Sequence, residues 1–209
     1  MLIKEGDVWK WRNDPSGSFS VKQVRLDIEN ASIAANSNDE VFHWNNWAPP
    51  KSNYLLWRAI MGKVAAKTEL IHRGVRIGDC LCPRCGLSDE SPDHLFVSCL
   101  WSQSVWWNVL SWVRIPFPLN TFILKDMIGF LKLRQGGGAW KKIIYMIAIG
   151  TVWRLWNARN TMAFEGKFIP VATITDQIKE DTFLWLSNRS KIKTTSWEKW
   201  RSFDVLDML

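Results

Sequence analysis

Residues 82–99, CPRCGLSDESPDHLFVSC, carry the most informative pattern in the chain. It spaces four candidate metal ligands as Cys82, two residues, Cys85, eight residues, His94, four residues and Cys99. Three thiolate sulfurs and one imidazole nitrogen are a ligand set that Zn²⁺ takes in closed tetrahedral sites. Four protein ligands leave no open position for a catalytic water, so the pattern predicts a zinc ion that stabilises the fold.

The spacing within each half of the motif suits a single ion. Between the first two cysteines stand Pro83 and Arg84, and Gly86 follows, which is a composition typical of a tight turn. If a helical turn begins at His94, then Cys99 lies little more than one turn further along. Both side chains can therefore face the same point.

The remaining cysteine, Cys80, leaves one alternative open. It could replace Cys82 as a ligand, although its spacing to Cys85 is poorer than the two-residue gap. Unrelated buried thiols are the other interpretation, but all four cysteines and one of the three histidines fall between positions 80 and 99. A disulfide framework is not expected, because no signal peptide is visible and disulfides among these cysteines would leave most of the chain without a cross-link.

Composition and charge narrow the class of protein. The chain has 209 residues, of which 47% are apolar and 15 are tryptophan, so it can bury a core of large aromatic side chains. The formal net charge of +7 divides into +2 over residues 1–75, −2 over 76–99 and +7 over 100–209. The cations of the C-terminal half either contact phosphates or form an ordinary solvated surface. The apolar segment 143–156 is too short to span a bilayer, so no membrane insertion is expected.

Local patterns predict a mainly α fold with a small N-terminal β-hairpin. The hairpin would join a strand at 7–12 to a second strand at 19–21. It is followed by helices predicted near 21–28, from Pro50 onward, at 69–73 behind a Thr68 cap, and at 100–113, 122–133, 140–160 and 171–187. The tail at 190–209 is expected to fray. One helical stripe is predicted to face the core, namely Tyr54, Trp57, Arg58 and Met61.

Seven sequence blocks resemble a known family in their order: WKWRNDPSGSFSVKQV, WNNWAPPKSNYLLWRAI, KTELIHRGV, CPRCG, Glu90, HLFVSC and SQSVWW. They are similar to the zinc-binding domain that follows the polymerase in plant non-LTR retrotransposons, and they cover roughly residues 7–112. The resemblance implies that Zn²⁺ is bound by Cys82, Cys85, His94 and Cys99. One departure, at residues 64–67, affects a loop where the family more often has Leu-Pro. A weaker likeness at residues 153–164 is to the segment that leads toward a ribonuclease H domain.

These patterns predict a zinc-stapled helical module followed by a C-terminal helical region. The domains would be a reverse-transcriptase-type zinc-binding domain at 1–115 and a helical region at 116–209, with a hinge near 135–139. The resemblance implies an accessory module that binds RNA or single-stranded DNA near an upstream reverse transcriptase domain. The alternative is a structural or protein-interaction scaffold that does not bind nucleic acid directly.

The chain is not expected to be an enzyme by itself. Polymerase and nuclease centres need acidic residues clustered around metal ions, and the acidic residues of this sequence are scattered. An intracellular location in the nucleus follows from the resemblance alone, and the oligomeric state and the preferred nucleic acid are left open. Candidate phosphate-binding residues are Lys141, Lys142, Arg154, Arg159, Lys191 and Lys193.

Overall fold

A computed structural model of the chain describes residues 2–5, 8–11, 42–192 and 196–205. The chain divides into two compact units, residues 1–43 and 44–209. In the first unit, strands β1 (Leu2–Glu5) and β2 (Val8–Trp11) pair in antiparallel register. The hairpin predicted from residues 7–12 and 19–21 is not supported, because 19–21 lie outside the described residues. The helix predicted at 21–28 lies outside them as well.

The second unit is helical, as the sequence predicts. Over its described part, it contains seven α-helices and one π-helical turn. In chain order these are α1 (Pro50–Ile60), α2 (Lys67–His72), the π turn (His94–Ser98), α3 (Leu100–Trp112), α4 (Leu124–Lys132), α5 (Gly138–Glu165), α6 (Val171–Arg189) and α7 (Trp197–Arg201).

Helix α5 is the element around which the second unit is packed. It lies against α1, α4, α6 and the π turn. It packs tightly against α6 at Gly150, where an added Cβ would lie 2.8 Å from Cγ2 of Thr182. A larger residue at this position would force the two helices apart, which explains a glycine within a long helix that otherwise favours side chains with higher helix propensity.

The solvent-facing side of α1 differs from the prediction. Tyr54 is 50% exposed and Met61 is 39% exposed, while Trp57 and Arg58 are half-buried, so the predicted stripe lies at the surface and not in the core. The buried side includes Leu55, Leu56 and a polar residue, Asn53. The buried amide of Asn53 is satisfied, since it accepts a bond from the backbone N–H of Asn45 at 2.9 Å and donates to nearby carbonyls. These hydrogen bonds allow Asn53 to lie on the buried side of α1, an orientation of the helix that apolar periodicity does not predict.

The C-terminal tail is also more firmly packed than predicted. Trp200 is completely buried, and its indole N–H donates to the carbonyl of Lys179 at 2.9 Å. Its ring lies 5.5 Å from that of Trp112 and 6.4 Å from that of Phe183. The predicted fraying is therefore wrong for residues 196–205, because large aromatic groups fix this segment to α3 and α6.

Residues on both sides of the predicted boundary at 115 lie in the same compact unit, since α3 packs against α6 and α5. The division into 1–115 and 116–209, with its hinge near 135–139, stays a prediction. No helix in the described part of the chain combines the length and apolar character needed to cross a membrane.

Candidate metal centre

The four predicted ligands come together at one point. The side-chain donor atoms of Cys82, Cys85, His94 and Cys99 all lie within 4.8 Å of one another. Sγ of Cys82 is 4.0 Å from Sγ of Cys99, and Sγ of Cys85 is 3.3 Å from Nε2 of His94. Ligands about 2.3 Å from a tetrahedral ion are separated by roughly 3.8 Å. The donor set and its spacing therefore fit Zn²⁺.

A short hairpin-like loop presents the first two ligands. Leu81 and Asp89 form an antiparallel bridge, and the backbone N–H of Cys82 donates to the carbonyl of Ser88 at 2.8 Å. The turn closes when the N–H of Gly86 donates to the carbonyl of Cys82 at 2.9 Å. Gly86 has φ +64°, a conformation that glycine adopts without the penalty of a Cβ.

The π turn presents the other two ligands. The backbone N–H of Cys99 donates to the carbonyl of His94 at 2.9 Å, which closes the turn with both side chains on one side. Phe96 inside the turn is completely buried, and its carbonyl accepts a bond from the indole N–H of Trp106 at 2.8 Å. Helix α3 therefore holds the turn in place, and this supports the predicted relation between the third and fourth ligands.

The pKa values of the two buried thiols are shifted in opposite directions, and that of Cys99 is lowered. Its pKa is lowered first by a hydrogen bond from Cys82 and then by backbone N–H groups of Trp101 and Ser102, at the start of α3. The pKa of Cys82 is raised, mainly by its hydrogen bond to Cys99 and by burial. Because metal binding requires thiolates, a cation bound here would displace the protons of these thiols.

Arg84 also belongs to the centre, although the sequence pattern did not indicate a role for it. Its guanidinium carbon lies 3.7 Å from the ring centroid of Trp101 and 5.5 Å from that of Phe168. Burial lowers the pKa of Arg84 to about 10, while the negative charges of Cys82 and Cys99 act in the opposite direction. The guanidinium is therefore still charged at neutral pH. Three thiolates around one divalent cation leave a charge of about −1, which this arginine offsets.

Replacing Arg84 is expected to weaken metal binding. Arg84→Gln removes the compensating charge, and we expect metal affinity to fall about 10- to 100-fold, as is usual when a group supporting the ligands is lost. Competition with a chromogenic chelator measures the affinity directly. Arg84→Lys is the matched control, because it retains the charge but not the planar stacking on Trp101. An unchanged affinity in Arg84→Gln would contradict the assigned role.

A buried ion pair joins the metal loop to α5. The carboxylate of Glu90, which is completely buried, lies 3.1 and 3.0 Å from Nε of Arg159. It also accepts a bond from the backbone N–H of Lys67 at 3.1 Å, at the start of α2. The carbonyl of Glu90 accepts a bond from the hydroxyl of Thr68, which therefore does not cap α2 with its side chain as predicted.

The predicted phosphate-binding residues fall into different environments. Arg159 is buried and bound to Glu90, so the structure gives no support to a phosphate-binding role. Arg154 forms a two-bond pair with Asp181, with both distances 2.6 Å. Lys141 and Lys191 are exposed, and Lys142 is partly exposed with Nζ 4.3 Å from the ring centroid of Trp47. Lys193 lies outside the described residues, and nucleic-acid binding by this set stays a prediction.

Cys80 does not join the cluster of donor atoms within the described residues. Its carbonyl accepts a bond from the backbone N–H of Glu90 at 2.8 Å, which closes the base of the metal loop. The geometry therefore favours Cys82 over Cys80 as the ligand.

The fold and the cluster together define a helical protein with a candidate metal centre of three cysteines and one histidine. The family model described as zinc-binding in reverse transcriptase matches residues 19–106, which include all four candidate ligands. This match confirms the resemblance between residues 19–106 and the zinc-binding domain of reverse transcriptases. Comparison with curated proteins and with solved structures gave no match.

Proposed function

We propose that this chain is the zinc-binding accessory module of a non-LTR retrotransposon reverse transcriptase and that it binds RNA or single-stranded DNA near the polymerase. The observation that carries the proposal is the convergence of Cys82, Cys85, His94 and Cys99 within the segment that matches the family. The ion would be Zn²⁺, held by four protein ligands in a structural role, because such a site has no open position.

The partners follow from this role. The module would act beside an upstream reverse transcriptase domain, in the nucleus, and it would not be an enzyme by itself. Its net charge of +7 supports attraction to a polyanion. Two kinds of contact would contribute, namely cations on phosphates and aromatic rings on unpaired bases.

A titration of the metal-loaded protein against labelled single-stranded RNA and DNA tests the proposal. We expect binding at low salt whose affinity falls steeply between about 50 and 200 mM salt, because neutralising phosphates releases counterions. Filter binding or fluorescence anisotropy measures the slope. The absence of binding at low salt, or binding that is independent of salt, would contradict nucleic-acid binding.

A scaffold role without direct nucleic-acid contact is the second candidate. The ion pair between Glu90 and Arg159 favours this role, because an arginine that was a candidate phosphate-binding residue instead joins the metal loop to α5. In this case the module would bind a separately expressed polymerase domain tightly in the absence of nucleic acid. Size-exclusion chromatography of the nuclease-treated mixture distinguishes the two candidates.

A further inference from the structure

The outward side of α1 combines cations with aromatic rings. Lys51, Tyr54, Arg58 and Met61 recur at intervals of three and four residues, so they form one stripe along the helix. Tyr54 is 50% exposed, and its ring centroid lies 5.5 Å from that of Trp57. The guanidinium carbon of Arg58 lies 5.9 Å from the same tyrosine ring. The stripe is thus a partly stacked aromatic surface flanked by positive charge.

Helix α5 lies beside α1. It packs against α1, and Nζ of Lys51 lies 4.9 Å from the ring centroid of Trp153 on α5. The carbonyl of Lys142 accepts a bond from the side-chain amide of Asn45 at 2.8 Å, which fixes the first turns of α5 beside the segment that precedes α1. We call the stripe on α1 together with Lys141 and Lys142 the α1–α5 face.

Neither helix supplies a carboxylate to this face. The sequence has no aspartate or glutamate between positions 41 and 68, or between 127 and 164. The five ion pairs found among the described residues use the cations Lys67, Arg154, Arg159, Lys167 and Lys179, none of which belongs to the α1–α5 face. Within the described ranges, no paired acid therefore neutralises the charge of the face.

Helix stability does not account for the two lysines on α5. Lys141 and Lys142 lie near the N-terminus of the helix, and its first turn contains no acidic residue. The helix dipole makes this end positive, so cations there are unfavourable. Lys142 contacts the ring of Trp47, but no contact among the described residues explains the exposed Lys141.

We propose that the α1–α5 face binds single-stranded nucleic acid. Lys51, Lys141 and Lys142 contact backbone phosphates, and Tyr54 stacks on an unpaired base. A single strand is favoured over a duplex because the exposed ring of Tyr54 needs the face of an unpaired base, which a duplex does not offer. An acidic peptide would use the cations but would offer no partner of this kind to the tyrosine. This inference rests on the proposed function and assigns it to a particular surface.

Charge-matched double variants of the metal-loaded chain test the phosphate contacts. Lys51→Gln/Lys141→Gln lies on the face, and Arg76→Gln/Lys125→Gln removes two exposed cations elsewhere. The probes are oligo(U) and oligo(dT) about 20 nucleotides long. We expect only the first variant to reduce the slope of log affinity against log salt concentration, by about 1.4, since each phosphate contact to a single strand contributes roughly 0.7. Thermal melting checks that both variants fold.

A matched aromatic pair tests the stacking. Tyr54→Leu is expected to weaken single-strand binding about tenfold, and binding to a duplex of the same length should not change. Phe164→Leu is the control, because Phe164 is 81% exposed and lies at the far end of α5. Comparing oligo(U) with oligo(dT) then shows whether RNA or DNA is preferred.

The outcomes separate this inference from the proposed function. Selective loss in Lys51→Gln/Lys141→Gln and in Tyr54→Leu supports the α1–α5 face. If the unmodified chain binds but both double variants lose affinity equally, or if Tyr54→Leu binds normally, then the α1–α5 face is not the binding site. Nucleic-acid binding by the chain would still be supported. Equal competition by poly-glutamate also overturns it. If the unmodified chain does not bind either probe, the proposed function fails with it.

Discussion

Removing the bound metal with a chelator is expected to produce the largest loss of stability of any single treatment. Binding of a structural zinc ion contributes about 10–16 kcal/mol in small zinc domains, which is as large as the whole stability of a typical domain. The ligands come from two segments, the loop around Cys82 and Cys85 and the turn from His94 to Cys99. Without the ion, three buried or partly buried thiols are left facing one another where these two segments meet.

Ligand variants make this prediction specific. Cys85→Ser and His94→Ala should lower the melting temperature strongly, and a chelator should then have little further effect on either variant. Cys80→Ser is the matched control, since the Cys80 thiol lies outside the cluster and the variant retains the backbone carbonyl bonded to Glu90. Differential scanning calorimetry with and without chelator measures all three. Destabilisation of Cys80→Ser equal to that of Cys85→Ser would overturn the choice of ligands.

The cluster of candidate ligands could be predicted from the sequence because all four lie within 18 residues of the chain. Over so short a span, a tight turn and one helical turn determine which side chains meet, and both can be read from local residue types. The same local signals locate α1 at Pro50 and α3 directly after Cys99. Local residue types are therefore sufficient to predict that these two helices form.

The features that the sequence did not reveal depend on distant contacts. Glu90 and Arg159 are 69 positions apart, and no local pattern distinguishes an arginine that binds a buried carboxylate from one that faces solvent. The outward orientation of Tyr54 depends on the buried amide of Asn53, a residue that apolar periodicity assigns to the surface. The packing of Trp200 likewise depends on contacts with Trp112 on α3 and with Lys179 on α6, both distant in the sequence.

The second large effect is expected when one partner of the buried ion pair is removed. Arg159→Met leaves the carboxylate of Glu90 buried, with the backbone N–H of Lys67 as its remaining hydrogen-bond donor among the described residues. Removing one partner of a buried pair typically costs about 3–5 kcal/mol, because the other charge stays without compensation. Urea denaturation of the metal-loaded protein measures the change in the free energy of unfolding. Lys167→Met, at the exposed pair of Lys167 and Glu165, is the matched control and should cost about 0–1 kcal/mol.

A double variant shows whether the effect comes from the uncompensated charge. Glu90→Leu/Arg159→Met removes both charges, and we expect it to be more stable than Arg159→Met alone, since apolar replacement of a whole buried pair is often close to neutral. Glu90 also donates its N–H to the carbonyl of Cys80 at the base of the metal loop. Arg159→Met should therefore weaken metal binding as well, although Arg159 lies on α5 and contributes no ligand. A cost in Arg159→Met as small as that in Lys167→Met would show that the pair does not connect the metal loop to the core.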